Sequence, residues 1–88
     1  MKVVYNKNEY CVPVTKSATM EEIEFIIEDF LKKKVTFCIG KTKTGYEIWR
    51  KEESGDIDNI KKRGSPEKPV QIFVEGEKAD EIEVIQSN

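Results

Sequence analysis

The chain has 88 residues, 38% apolar and 36% charged. It makes one domain, residues 1–88, near the lower end of what a single core can stabilise. No apolar run approaches the roughly 18 residues of a membrane span, no secretory pattern opens the chain, and no histidine is present to serve as general base or metal ligand. The expectation is a small acidic cytoplasmic protein with no cofactor, no metal and no membrane partner, and catalysis is disfavoured.

In chain order, KVVYN and EYCVPV read as the two strands of a hairpin, with NKN as the turn between them. Pro13 lacks a backbone N–H, which places the second strand at a sheet edge. Ser17 and Thr19 are both candidate helix caps, and Thr19 followed by Glu22 fits the reciprocal capping box. Glu21, Glu22 and Glu24 suit the positive end of the helix that follows, and Lys32, Lys33 and Lys34 its negative end. At about 100° per residue, Met20, Ile23, Ile26, Ile27, Phe30 and Leu31 form one apolar stripe. Phe25 falls well off it, between Asp29 and Lys32. A neighbouring loop caps it, or it is exposed.

VTFCIG and YEIWRK, joined by GKTKTG, form a second hairpin. ESGDIDNIKKRG carries turn residues and room for one helical turn. SPEKP cannot continue a helix. VQIFVEG is the next strand, EKAD a turn, and EIEVIQ a short last strand or a helix. One helix cannot enclose a core alone, so it must lie across one face of a mixed sheet of four to five strands. The fold class is α+β.

The order of elements resembles the ubiquitin-like β-grasp over roughly residues 1–75. The similarity is most specific at MKVVY and VTKSATMEEIEFII, and DIDNIKKRGSPEKPVQIFVEG looks like the family's late turn into its last central strand. Residues 76–88 would then be a C-terminal extension. The resemblance implies that the first and last core strands are parallel neighbours, with the EYCVPV and YEIWRK strands at the edges. It also implies a protein-binding role. The chain ends in Ile-Gln-Ser-Asn rather than Gly-Gly, so conjugation chemistry is not carried over.

Strand alternation divides the sheet into two faces. Val3, Tyr5, Tyr10, Val12, Val14, Val35, Phe37, Ile39, Tyr46, Ile48, Val70, Ile72 and Val74 are assigned to the helix side. Val4, Cys11, Cys38, Trp49 and Phe73 then look outward, with Thr36, Gln71, Glu47 and Lys51 around them. A solvated face should be polar, so an outward tryptophan and phenylalanine mark either an interface or a covered face. Trp49 and Phe73 are the expected protein-binding anchors, Val4 and Cys38 their apolar surround, and Lys51 and Glu47 the rim. The alternatives are that Ile82, Val84 and Ile85 fold back over this face, or that a homodimer buries it. Cys11 and Cys38 share the face with two strands separating them, too far for a disulfide, which predicts two free thiols.

Other motifs carry little. GKT at 40–42 lacks the earlier glycine of a phosphate-binding loop, and no helix follows it. Asp56, Asp58 and Asn59 lack the rest of a Ca²⁺ loop. Charge is more informative. Residues 1–31 hold three Lys against six acids, residues 32–63 ten Lys/Arg against five, and residues 64–88 two Lys against six. Lys32, Lys33, Lys34, Lys41, Lys43, Arg50, Lys61, Lys62 and Arg63, with Trp49 or Tyr46 nearby, offer charge plus stacking for single-stranded nucleic acid. The leading expectation is a non-enzymatic protein-binding module (an adaptor, inhibitor or immunity-type protein). A nucleic-acid-binding accessory protein is the alternative. Lys-, Glu- and Ile-rich usage suggests a microbial or viral source.

Overall fold

The computed structural model describes residues 2–6, 11–51, 66 and 69–85. Within them lie strand β1 (Lys2–Asn6), strand β2 (Cys11–Ala18), helix α1 (Met20–Lys32), strands β3 (Phe37–Lys41), β4 (Tyr46–Lys51), β5 (Pro69–Val74), β6 (Glu77–Lys78) and β7 (Glu81–Ile85). The class is α+β, with one helix and both parallel and antiparallel strand pairs among these residues. Five strands form an antiparallel sheet in the order β2-β4-β3-β5-β6, and β1 pairs with β7 in a separate two-stranded parallel ribbon.

The helix starts and stops for local reasons. Thr19 is its N-cap, and its Oγ1 accepts from the Glu22 N–H at 3.3 Å. The Thr19 hydroxyl in turn donates to the Glu22 carboxylate at 3.1 Å, so the return bond of the box runs side chain to side chain. At the other end, the Lys34 N–H bonds to Leu31 O and the Val35 N–H to Phe30 O, with Lys34 at φ 55°. That pair of bonds around one left-handed residue is a Schellman stop, here made with lysine in the position glycine usually takes.

The β3–β4 hairpin forms as expected, pairing Phe37 with Arg50 through Lys41 with Tyr46. Its turn is closed by the Thr42 N–H to Gly45 O at 2.8 Å and the Gly45 N–H to Thr42 Oγ1 at 3.0 Å. β2 lies at the sheet edge, in line with Pro13. The last segment, Glu81–Ile85, is a strand. The segment ESGDIDNIKKRG lies outside the described residues.

Several expectations need correction. KVVYN and EYCVPV do not pair with each other: β1 leaves the main sheet for β7, and β2 pairs with β4. Outside the sheet plane, β1 lays Tyr5 into the cluster with Trp49 and Cys38 on the sheet's far face, where it is buried. With β2 paired to β4, YEIWRK is not an edge strand but lies between β2 and β3. The turn assigned to EKAD falls two residues earlier, at Glu75 (φ 52°) and Gly76 (φ 82°). Two left-handed residues joining Val74 to Glu77 match the twist of a tight hairpin, and the Thr36 Oγ1 holds the Glu75 N–H at 3.2 Å.

A further correction concerns β5. Phe37 pairs with Phe73 and Cys38 with Ile72. Directly paired residues share a face. Phe73 therefore looks toward the helix, while Ile72 looks away from it. Val70 is exposed, and Val74 packs against the far-side cluster. A one-residue change of register inverts a whole strand, and nothing within VQIFV itself selects one parity.

The sheet thus separates two cores. On the helix side Ala18, Ile23, Phe37, Ile39, Ile48 and Phe73 are buried, with Ile26, Ile27, Phe30 and Tyr46 packed against them. Met20 and Leu31 sit at the exposed margin of the helix stripe. On the other side Tyr5, Cys38, Trp49, Ile72 and Ala79 are buried, with Val3, Val74 and Ile82 against them. Val3 and Tyr5 were assigned to the helix side. They lie in this second core because β1 belongs to the ribbon.

Candidate docking surfaces

The outer face of the sheet was the first candidate. Trp49 and Cys38 do lie on the face away from α1, as alternation requires. Each is only 3% exposed, because Tyr5 and Val3 from β1 and Ile82 from β7 lie over them. Phe73 is 8% exposed and belongs to the opposite core. The two proposed anchors therefore share no face and neither reaches solvent. Ile82 covers the face as one alternative foresaw, and β1 shares the cover. Val84 stays at its exposed margin.

The ribbon is pinned from a third side. The Tyr5 hydroxyl donates to the buried Pro66 carbonyl at 3.0 Å. Pro66 in turn lies against Gly40, where a β-carbon would come within 3.0 Å of the proline Cβ. A side chain at position 40 would thus push on the segment that anchors Tyr5. Val4 is exposed on the solvent side of the ribbon, away from Trp49. Lys51 is exposed and Glu47 half-buried. They border a covered surface rather than an open one.

Among the described residues, the basic side chains of segment 32–63 do not gather in one place. Lys32, Lys33 and Lys34 end the helix beside the start of β3. Arg50 pairs with Phe37 at that same end. Lys41 and Lys43 lie at the hairpin turn, four residues of strand away, or roughly 13 Å. Lys33 is tied to Asp29 at 3.0 Å. Lys61, Lys62 and Arg63 lie outside the described residues. Neither aromatic proposed for stacking presents a free ring: Trp49 is buried, and Tyr46 packs against the helix-side core.

A different surface stands out on α1. Ile23 is fully buried, and Phe25, two residues on, is 78% exposed. At 100° per residue the two positions lie about 160° apart around the helix. Phe25 is therefore open to solvent. The positions that neighbour it on a helix surface are three and four residues away. All four are acids: Glu21, Glu22, Glu28 and Asp29, each exposed. Glu22 is engaged by Thr19 and Asp29 by Lys33. Glu21 and Glu28 take part in no ion pair among the described residues. The spacing of these acids about one phenylalanine is legible in the sequence, but their exposure depends on which face the helix buries.

Among the described residues no group of three or more Cys, Asp or Glu is placed to hold a metal ion. No described helix is long and apolar enough to cross a membrane. No known protein-family model, curated protein or solved structure matches the chain.

Proposed function

We propose that this chain is a small non-enzymatic, cytoplasmic protein-binding module that docks through the outward face of α1 around Phe25. One observation carries this reading: Phe25 is 78% exposed on a capped helix whose opposite side buries Ile23 completely and packs Ile26, Ile27 and Phe30 against the core. Burying an exposed phenylalanine releases about 1.5–3 kcal/mol. Here that gain is left for a partner. The helix is held by the core beneath it, so the ring is presented with little ordering cost, which favours an aromatic anchor. This favours docking on the helix over docking on the sheet face, which the ribbon covers. The β-grasp relationship is proposed on one helix following the second strand and on a first strand in a parallel pair, although its partner is β7 and not β5, the strand that the resemblance implied. The isolated ribbon and the central position of β4 depart from that pattern.

The test compares immobilised wild-type protein with Phe25→Ser, which should fold equally well. Both are exposed to lysate of the source cells with and without nuclease treatment, and retained proteins are identified, purified and rebound. A purified protein that binds wild type and not the variant supports docking at Phe25. Identical retention by the two removes it. Retention that disappears with nuclease treatment would instead favour nucleic acid.

A further inference from the structure

We infer that the surface around Phe25 accepts an arginine-bearing basic segment of the partner protein, the guanidinium stacking on the phenyl ring between flanking carboxylates. This rests on the docking reading above and adds the chemistry of what docks. The ring face carries negative quadrupolar charge and attracts cations placed within about 6 Å of its centroid. Glu21 and Glu28 lie to one side of Phe25 around the helix, and Glu22 and Asp29 to the other. A cation over the ring would therefore meet carboxylates on both flanks.

Arginine suits this arrangement better than lysine. Its guanidinium is planar, stacks on an aromatic face, and still directs N–H donors outward from its edge. Its hydration is weaker than that of an ammonium, so less is lost on contact with the ring. A lysine supplies a point charge to the carboxylates but no second flat surface. An acidic or neutral apolar partner would have to bury Glu21 and Glu28 beside the ring with no cation to compensate them, which is costly. Lys32 and Lys33, at the C-terminal end of the same helix, bound the acidic surface and disfavour continuation of a basic segment past that end.

The probe is a capped hexapeptide of alternating arginine and glycine, titrated into ¹⁵N-labelled full-length protein at about 20 mM salt, where screening is weak. Shifts should concentrate on the backbone of Glu21–Asp29. Phe25→Ser keeps every carboxylate, so a purely electrostatic site would bind it equally well. The expected result is about 2- to 5-fold weaker binding in that variant, and weaker binding of the lysine counterpart to wild type. Equal affinity in Phe25→Ser, or shifts spread equally over the acids of residues 75–83, would overturn the inference.

A second measurement separates this inference from the docking reading. Suppose a purified partner needs Phe25, yet binds Glu21→Gln/Glu28→Gln unchanged and is insensitive to salt. Docking at Phe25 then stands and the arginine inference falls. Concentration-dependent dimerisation lost in Phe25→Ser would assign the surface to a second copy and overturn it too.

Discussion

Phe37 and Phe73 stack across the β3–β5 ladder, with ring centroids 4.6 Å apart and 8° between their planes. Phe30 of α1 tilts onto Phe37 at 5.3 Å. This one contact sets the parity of β5. It draws Phe73 under the helix and turns Ile72 to the other side, against Trp49 and Tyr5.

Phe73→Ala should therefore cost about 3–5 kcal/mol, the usual range for emptying a buried phenylalanine site. Urea denaturation measures it. Phe25→Ser, on the same helix-bearing side but fully outward, should change stability by less than about 0.5 kcal/mol. Equal small effects from both would mean that Phe73 is a surface residue after all.

The ribbon offers a local test. β1 and β7 form only a two-stranded parallel pair, and such pairs are weak alone. Side chains hold the ribbon to the sheet, with the Tyr5 hydroxyl fixed on Pro66. Tyr5→Phe leaves that buried carbonyl without its donor, a loss of about 1–3 kcal/mol. Cys38 lies beneath the ribbon as a buried thiol that forms no disulfide. In a Cys11→Ser background, native-state alkylation of Cys38 should accelerate at least about 5-fold in the Tyr5→Phe variant. An unchanged rate would mean that Tyr5 does not hold the cover closed.

Two backbone positions give opposite signs. Lys34 sits at φ 55° in the helix stop, a conformation that costs a side-chain-bearing residue about 1 kcal/mol. Lys34→Gly should raise stability by about 0.5–1 kcal/mol. Gly76, at φ 82°, faces the helix end across a gap where a β-carbon would lie 3.0 Å from Leu31 O. Gly76→Ala should lower stability by more than about 1 kcal/mol. Thermal or urea unfolding of the pair reads both, and equal signs would contradict the geometry.

The thiols should stay reduced. Cys11 pairs with Lys51 and Cys38 with Trp49, so β4 alone runs between their strands rather than the two strands expected. Two inter-strand steps still amount to roughly 9.6 Å, beyond the Cα separation a disulfide spans. Intact mass under non-reducing conditions should equal the fully reduced value. Loss of two hydrogens within a monomer would refute the register.

Local signals account for most of what was legible before the structure. Thr19 with Glu22 marks the helix start because capping acts over three residues. The β3–β4 hairpin follows from two apolar runs flanking GKTKTG. The faces of Phe37, Ile39, Ile48, Cys38 and Trp49 follow from period two once the hairpin is fixed. The helix stop at Lys32–Lys34 was placed by charge and by the strand that follows, whereas the turn at Glu75 and Gly76 was misplaced because a glutamate in a left-handed position gives no warning of it.

The sequence by itself determined one capped amphipathic helix, a central hairpin whose tryptophan turns away from that helix, and a phenylalanine off the helix's apolar stripe. Each depends on residues close along the chain. Tertiary structure alone decided that β1 and β7 cover Trp49, that Phe73 lies beneath the helix, and that Phe25 is left in solvent. These outcomes depend on which distant strands meet and in what register, and pairing energies between strands dozens of residues apart are not written in any one segment.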